Sequence, residues 1–233
     1  MRKLIIGIFV VLVLLVAADR VGVLVADVAL EGVLKDRLAL QDKPKVRVHG
    51  IPFLTQVIGG KYDNIEVHGK NLDAGKLTKL DAQVHLRGAH IGLKKLFTWN
   101  IDSVPVDQVT ATVTMPYSEV ASLSGVQGLK VRPDGKKLAI SGPVPISGRT
   151  VPMSGTAHAE VQNSDLIVIP DSAKANGADI PPALLQGLRF TIRVRDLPFD
   201  LRLTDVTVTP DGLAGSATAK DIVIRADDVG AVR

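Results

Sequence analysis

Five histidines and a scatter of carboxylates and arginines are the residues here that could do chemistry. His49, His68, His85 and His158 fall on the polar side of strand-like alternation. His85 and His90 stand five residues apart, which puts them on opposite faces of a strand. Metal binding needs ligands that converge, and no His-Glu-x-x-His or closely spaced His–carboxylate set occurs. No Gly-x-Ser-x-Gly elbow, no phosphate-binding glycine loop and no cysteine is present, so lipase, nucleotide and thiol chemistry lack their usual carriers. Asp63, Asp81, Asp102, Asp200 and Asp205 read as residues of strand ends and turns. A glycosidic pair of carboxylates stays formally open, with nothing in the spacing to support it. The sequence therefore assigns no catalytic residue, no metal and no cofactor.

The basic residues suggest binding instead. Arg189, Arg193 and Arg195 share one strand face, opposite Phe190, Ile192 and Val194. Lys61 and Arg202, with Lys94 and Lys95, lie near other strand or turn positions. A guanidinium can grip a phosphate through forked hydrogen bonds, so Arg189, Arg193, Arg195, Arg202 and Lys61 are head-group candidates. A solvated strand face would look the same.

The elements that must position these groups begin with an export-type segment. Met1-Arg2-Lys3 is basic, Leu4 to Ala18 is apolar, and Val16-Ala17-Ala18 offers small residues before Asp19-Arg20. This is the pattern of a signal peptide. At 1.5 Å per residue the run covers about 22 Å, short of the roughly 30 Å hydrocarbon core. Residues 1–25 are thus expected to be a signal peptide cleaved after Ala18 or a retained N-terminal anchor. Either places residues 26–233, expected as a single domain, outside the cytoplasmic membrane.

Composition narrows that domain further. The 233-residue chain has no cysteine, so neither disulfides nor cysteine-linked lipid hold it. Apolar residues make up 46% but aromatics only 3%, which predicts a core of Val, Leu, Ile and Ala. Net charge is +4, and losing Arg2 and Lys3 with the signal leaves +2. That is too weak a field for a nucleic-acid partner, and no aromatic-rich basic cluster is present.

Ala26 to Gln41 predicts an amphipathic helix, with Leu30, Val33, Leu34 and Leu38 at three- and four-residue steps. Asp27, Glu31, Lys35 and Asp36 fall on its other side, and their mixed sign argues against a membrane-surface helix. From Lys45 onward the period changes to two: Val46/Val48, Ile65/Val67, Ala82/Val84/Leu86, Val109 to Met115, Leu138/Ile140, Ala157 to Val161, Phe190 to Val194, Leu201/Leu203, Val206/Val208 and Ile222/Ile224. The expectation is α+β: a helix packed against a long antiparallel sheet with one apolar face. Pro133-Asp134-Gly135 and Pro210-Asp211-Gly212 mark hairpins. Short helices are expected over Pro116–Leu123 and Pro181–Leu188, and Gly142–Pro152 is expected to be a loop or edge.

Two segments carry a resemblance. Ile51-Pro52-Phe53-Leu54-Thr55-Gln56-Val57-Ile58-Gly59-Gly60-Lys61-Tyr62-Asp63-Asn64 leads into a strand, and Leu197-Pro198-Phe199-Asp200-Leu201 leads to the Pro210-Asp211-Gly212 turn. Together with the order of elements and the helix containing Tyr117, they resemble the LmeA-like phospholipid-binding family of exported actinobacterial envelope proteins. The resemblance runs from about Ala26 to Ile224 and brings no catalytic motif. It implies a tubular lipid-binding fold, with a long helix on a strongly bent antiparallel sheet and an apolar cavity between them. It also implies a bound phospholipid and a role in envelope lipid or lipoglycan metabolism.

Residue chemistry alone leaves a choice between such a cavity and a solid core. Acyl chains need an aliphatic lining, because an unpaired polar group there costs several kcal/mol. The lining candidates are Leu30, Val33, Leu34 and Leu38, then Phe53, Leu54, Val57 and Ile58. Phe97, Trp99, Leu184, Leu185, Leu188, Phe199 and Leu201 complete the set. Trp99 would also suit a membrane interface. The expected protein is a non-enzymatic, exported phospholipid binder whose partners are lipid and a membrane surface or its own anchor. A filled structural envelope module, and a hydrolase or transferase acting on envelope glycolipids, are the competing readings.

Overall fold

A computed structural model describes residues 2–38, 42–74, 77–98, 102–146, 149–192 and 201–225. The first element, α1 (Arg2–Leu38), is one unbroken helix of 37 residues, about 55 Å long. The helix expected from Ala26 is thus continuous with the export-type segment before it. No glycine pair or proline interrupts the run, and the isolated Gly7, Gly22 and Gly32 do not break a helix. Its Phe9–Asp36 part is long and apolar enough to cross a membrane.

Strand β1 (Lys45–His49) shows the predicted alternation in full, with Val46 and Val48 buried between exposed neighbours. A short helix, α2 (Phe53–Gly59), follows. Then come the long strands β2 (Lys61–Ala74) and β3 (Leu77–His90), helix α3 (Leu93–Thr98) and strand β4 (Ser103–Met115). Helix α4 (Tyr117–Leu123) starts after Pro116, as its proline suggests. Next are β5 (Lys130–Asp134), β6 (Lys137–Ile146), β7 (Arg149–Gln162), β8 (Asp165–Ala175) and β9 (Ala178–Asp179). The chain closes with α5 (Pro182–Leu185) and its 3₁₀ turn Gln186–Leu188, then β10 (Phe190–Ile192), β11 (Arg202–Val208) and β12 (Leu213–Arg225).

The α+β class holds, with the strands divided between two antiparallel sheets. One runs β1-β2-β3-β4-β12-β11 and the other β10-β8-β7-β6-β5, with β9 on β8. The β5–β6 hairpin turns at Gly135-Lys136, where Gly135 takes φ +60°. The β11–β12 hairpin closes through Thr209–Gly212, with the Thr209 amide donating to the Gly212 carbonyl at 3.0 Å. Alternation had not marked β8, because Leu166 to Ile169 is apolar at every position. Of the loop or edge expected over Gly142–Pro152, it is the edge that forms: Gly142 faces Met153 and Pro143 faces Pro152 across β6 and β7. Its prolines are tolerated because β5 pairs with β6 only as far as Ser141, which leaves the later residues an open side.

The chain forms two compact units. The first draws on Met1–Lys70, Gln83–Thr110 and Ala219–Arg233, the second on Asn71–Ala82 and Ala111–Thr218. In the first, Val46, Val48, Phe53, Tyr62, Ile65, Val106 and Val109 are buried, and α1 packs on β1 and α2. The second is built around Val120, Ala121, Val131, Leu138, Ala157, Leu166, Val168, Leu203 and Leu213. Both interiors are mostly aliphatic, as the 3% aromatic content requires, with Phe53 and Tyr62 the aromatic members of the first.

Candidate functional site

The second unit holds a cleft of about 240 Å³ on the face of the β6–β7–β8 sheet. Its floor is recessed because small residues stand where bulky ones would fill it: Gly155 and Thr156 on β7, Ser172 and Ala173 on β8. A side chain at Gly155 would place Cβ 2.1 Å from the Ser172 carbonyl oxygen, so only glycine fits. Ile140, Met153 and Pro170 supply the aliphatic sheet side. The opposite wall comes from the segment after α4 (Ser124, Val126, Leu129) and from Gly187, Arg189 and Phe190 beside the 3₁₀ turn.

Local chemistry fixes both walls. The Ser124 hydroxyl donates to the Ala121 carbonyl at 2.6 Å and accepts the Val126 amide at 3.2 Å, shaping the loop that carries Val126. The other wall is tied to β8 by the Ile180 amide, which donates to the Ala173 carbonyl at 2.8 Å, and by the pairing of Phe190 with Val168. Leu185 is buried and pins α5. The lining is mostly apolar, and among the described residues Arg189, itself exposed, is its one charged residue. Such a site offers burial to a hydrocarbon segment and a guanidinium to an anion beside it.

The sequence candidates fall into three groups. In the first unit, Phe53 is buried, Leu30, Val33, Leu34 and Val57 are half-buried, and Leu54 and Ile58 are exposed. In the second unit, Leu185 is buried, Leu201 half-buried, and Leu184 and Arg202 exposed. Trp99, Arg193, Arg195 and Phe199 lie outside the described residues, as do the side chains of Leu38, Phe97 and Leu188. Arg189 is the candidate found on the cleft. Lys61 instead donates to Asp107 at 2.9 Å. Val126, Leu129, Ile140, Met153 and Phe190 escaped the sequence analysis as lining residues. The signals that could have found them are the Ser/Gly-rich stretch after α4 and the small residues facing one another on β7 and β8.

Much of the Ile51–Asn64 segment is tied into the framework of the first unit. Gln56 is buried and its side-chain oxygen accepts the Asp63 amide at 2.9 Å. Gly50, at φ +114°, passes so close that a Cβ would sit 2.2 Å from the Gln56 Nε2. Phe53 packs obliquely on Tyr62 with ring centres 6.4 Å apart. Gly60 ends α2 in the left-handed conformation, and its carbonyl accepts the Ile91 amide at 2.8 Å. In the second unit the Tyr117 hydroxyl donates to the Thr209 carbonyl at 2.5 Å, tying α4 to the Pro-Asp-Gly hairpin. Burial pushes the phenols of Tyr62 and Tyr117 upward in pKa.

Three histidines meet carboxylates across the strands: His49 with Glu66 at 2.9 Å, His90 with Asp107 at 2.9 Å, and His158 with Asp171 at 2.6 Å. Each carboxylate has a further partner, respectively Gln83, Lys61 and Lys137. The Glu66 carboxyl is held below its ordinary range by hydrogen bonds from His49 and Gln83. Asp107 is lowered by Lys61 and then His90. For Asp171 burial pushes upward, and the bonds from Lys137 and His158 overcome it to leave the carboxyl lowered. These are cross-strand surface networks on β-sheet faces. Among the described residues no three of His, Asp and Glu are grouped to hold a metal ion.

Residues 17–218 match the model of a family described as LmeA-like phospholipid-binding. The chain belongs to that family. The match covers the whole second unit, most of the first and all of the cleft's lining residues, so the apolar recess and Arg189 stand inside the part shared with LmeA-like proteins. No curated protein and no solved structure matches the chain.

Proposed function

We propose that this protein is exported and binds phospholipid without chemically altering it, holding acyl-chain carbon in the cleft of the second unit with the head group beside Arg189. The observation that carries the reading is the cleft itself: an aliphatic recess, kept open by small residues, with the Arg189 guanidinium on its lining. At about 240 Å³ it lies slightly below the roughly 300–1,000 Å³ of typical ligand pockets, so it suits part of an acyl chain and leaves the head group outside. Each methylene buried contributes about 0.8 kcal/mol, so a run of several gives useful affinity without any special polar contact. The role that follows is extraction, carriage or presentation of lipid in the cell envelope, and α1 supplies the export signal or anchor.

The test is lipid content. Protein purified from membranes is analysed by native mass spectrometry and by extraction into organic solvent, beside Val126→Trp, which fills the cleft from the loop side, and Arg189→Glu. The expected result is co-purifying phospholipid, reduced at least about tenfold in Val126→Trp, as loss of two methylene contacts or more implies. Arg189→Glu should favour lipids of lower negative charge. Protein that arrives lipid-free and accepts none from phosphatidylglycerol vesicles would leave the filled structural module as the better description.

A further inference from the structure

Between Asp19 and Glu31, α1 is inside out. The residues that turn toward its own unit include three carboxylates, and each accepts a backbone amide: Asp19 from Leu54 at 2.8 Å, Asp27 from Val48 at 2.8 Å, and Glu31 from Val46 at 3.3 Å. Asp19 is only 4% exposed and is also bonded by Arg20 at 2.6 Å. The outward stripe is aliphatic. Val21, Leu24, Val25 and Val28 recur at helical spacing and are each 59–64% exposed. A helix on a water-soluble body shows the reverse arrangement, with apolar residues inward and acids outward.

A second apolar surface lies at the same level along α1. Helix α2 meets α1 at Asp19 and Gly22, where a Cβ on Gly22 would lie 3.3 Å from the Phe53 ring. Ile51, just before α2, is 80% exposed and Ile58, within it, 76%. Large apolar side chains this exposed, on a segment packed against a helix that itself bares an apolar stripe, mark an interaction surface. The stripe also continues without interruption into the N-terminal part of the same helix, where Phe9 to Val16 is exposed throughout and the span reaches membrane length. Polar groups near hydrocarbon must be satisfied within the protein, and the engaged carboxylates meet that condition.

We infer that the outward stripe of α1 and the exposed Ile51 and Ile58 at α2 form a bilayer contact, with α2 lying in the outer part of the lipid layer. The first unit then docks directly on the membrane and is not held off by a free tether. Lys94 and Lys95, exposed on α3 where it packs against α2, favour an anionic lipid surface. The inference does not depend on the cleft.

The chain has no cysteine, so single labels are clean. Full-length protein carrying Val25→Cys, Ile58→Cys or Lys136→Cys, each bearing an environment-sensitive fluorophore, is reconstituted into phosphatidylcholine–phosphatidylglycerol vesicles. Circular dichroism checks that each folds. The expected result is quenching of the Val25 and Ile58 labels by a shallow spin-labelled lipid, at least threefold stronger than for the label on the exposed β5–β6 turn, with weak quenching by aqueous iodide. Adding Val126→Trp should leave this pattern unchanged, which separates bilayer contact from lipid held in the cleft. Iodide quenching at Ile58 equal to that at Lys136 overturns the inference. So does shielding of both labels from iodide and lipid alike, which would show a second copy of the chain on that face.

Discussion

Gly212 stands where no side chain fits. An added Cβ would lie 2.2 Å from the Met115 carbonyl oxygen, and that atom belongs to the backbone and cannot swing aside. Gly212 also closes the hairpin, since its carbonyl accepts both the Thr209 amide and the Thr209 hydroxyl. Gly212→Ala is therefore expected to cost about 2–4 kcal/mol, in the range of overpacking combined with backbone displacement. Tyr117→Phe removes only the hydroxyl that reaches the Thr209 carbonyl and should cost about 1 kcal/mol. Urea denaturation checks both, and a Gly212→Ala midpoint equal to that of the parent chain would refute the steric argument. The same residues show what a sequence discloses at this scale. Pro-Asp-Gly announces a turn, yet nothing in it says that the glycine is needed for its closeness to Met115. Likewise Gln56 is conspicuous in its segment, while its bond to the Asp63 amide depends on a fold that only the assembled chain reveals.

At the scale of elements, periodicity was legible wherever one face is buried and the other wet. β1 follows it residue by residue, and the two proline-led helices begin where their prolines suggest. It failed at β8, where Leu166 to Ile169 is apolar throughout although only Leu166 and Val168 are buried, and it left loop and edge undecided at the arms of β6 and β7, whose prolines sit on an open strand edge. The division of strands between two sheets was also hidden, because alternation reports a buried face and not the neighbour that buries it. The helix α1 gives the sharpest contrast. Asp27 and Glu31 read as a solvated side, but their carboxylates cap the free edge of β1. An edge strand has amides without a ladder partner, and an acid placed above them supplies one. Asp27→Ala should accordingly cost about 1–3 kcal/mol, the penalty of a buried donor left unsatisfied, and Val48 is buried. Hydrogen exchange gives a local readout: the Val48 amide should exchange markedly faster while that of Val131, in the second unit, does not change. Equal protection of Val48 in both proteins would mean that water or another group serves that amide.

Over the whole molecule, the candidate site was legible in kind but not in place. An aromatic-poor aliphatic chain with arginines near strand positions suits a lipid binder, and Arg189 does line the cleft, yet the rest of that lining comes from a loop and from small residues whose significance is the space they leave. What the molecule does as a whole also shows in its response to acid. Glu66, Asp107 and Asp171 each lie against a histidine, each has a second donor, and all three are lowered in the folded state. A carboxyl with a depressed folded pKa contributes stability that is fully present above its unfolded value, near 4, and is lost as pH falls through the folded value. Stability should therefore hold from neutral pH down to about 5 and fall below about 4. Urea midpoints taken at pH 7, 5, 4 and 3 test this, beside the triple variant Glu66→Gln, Asp107→Asn, Asp171→Asn. The variant should start lower at pH 7 and lose less on acidification, because its neutral side chains have nothing left to protonate. The networks are spread over both units, Glu66 and Asp107 in the first and Asp171 in the second, so the loss should appear in both. Parallel acid slopes for the variant and the parent chain would show that these pairs follow the fold without supporting it, as exposed ion pairs often do.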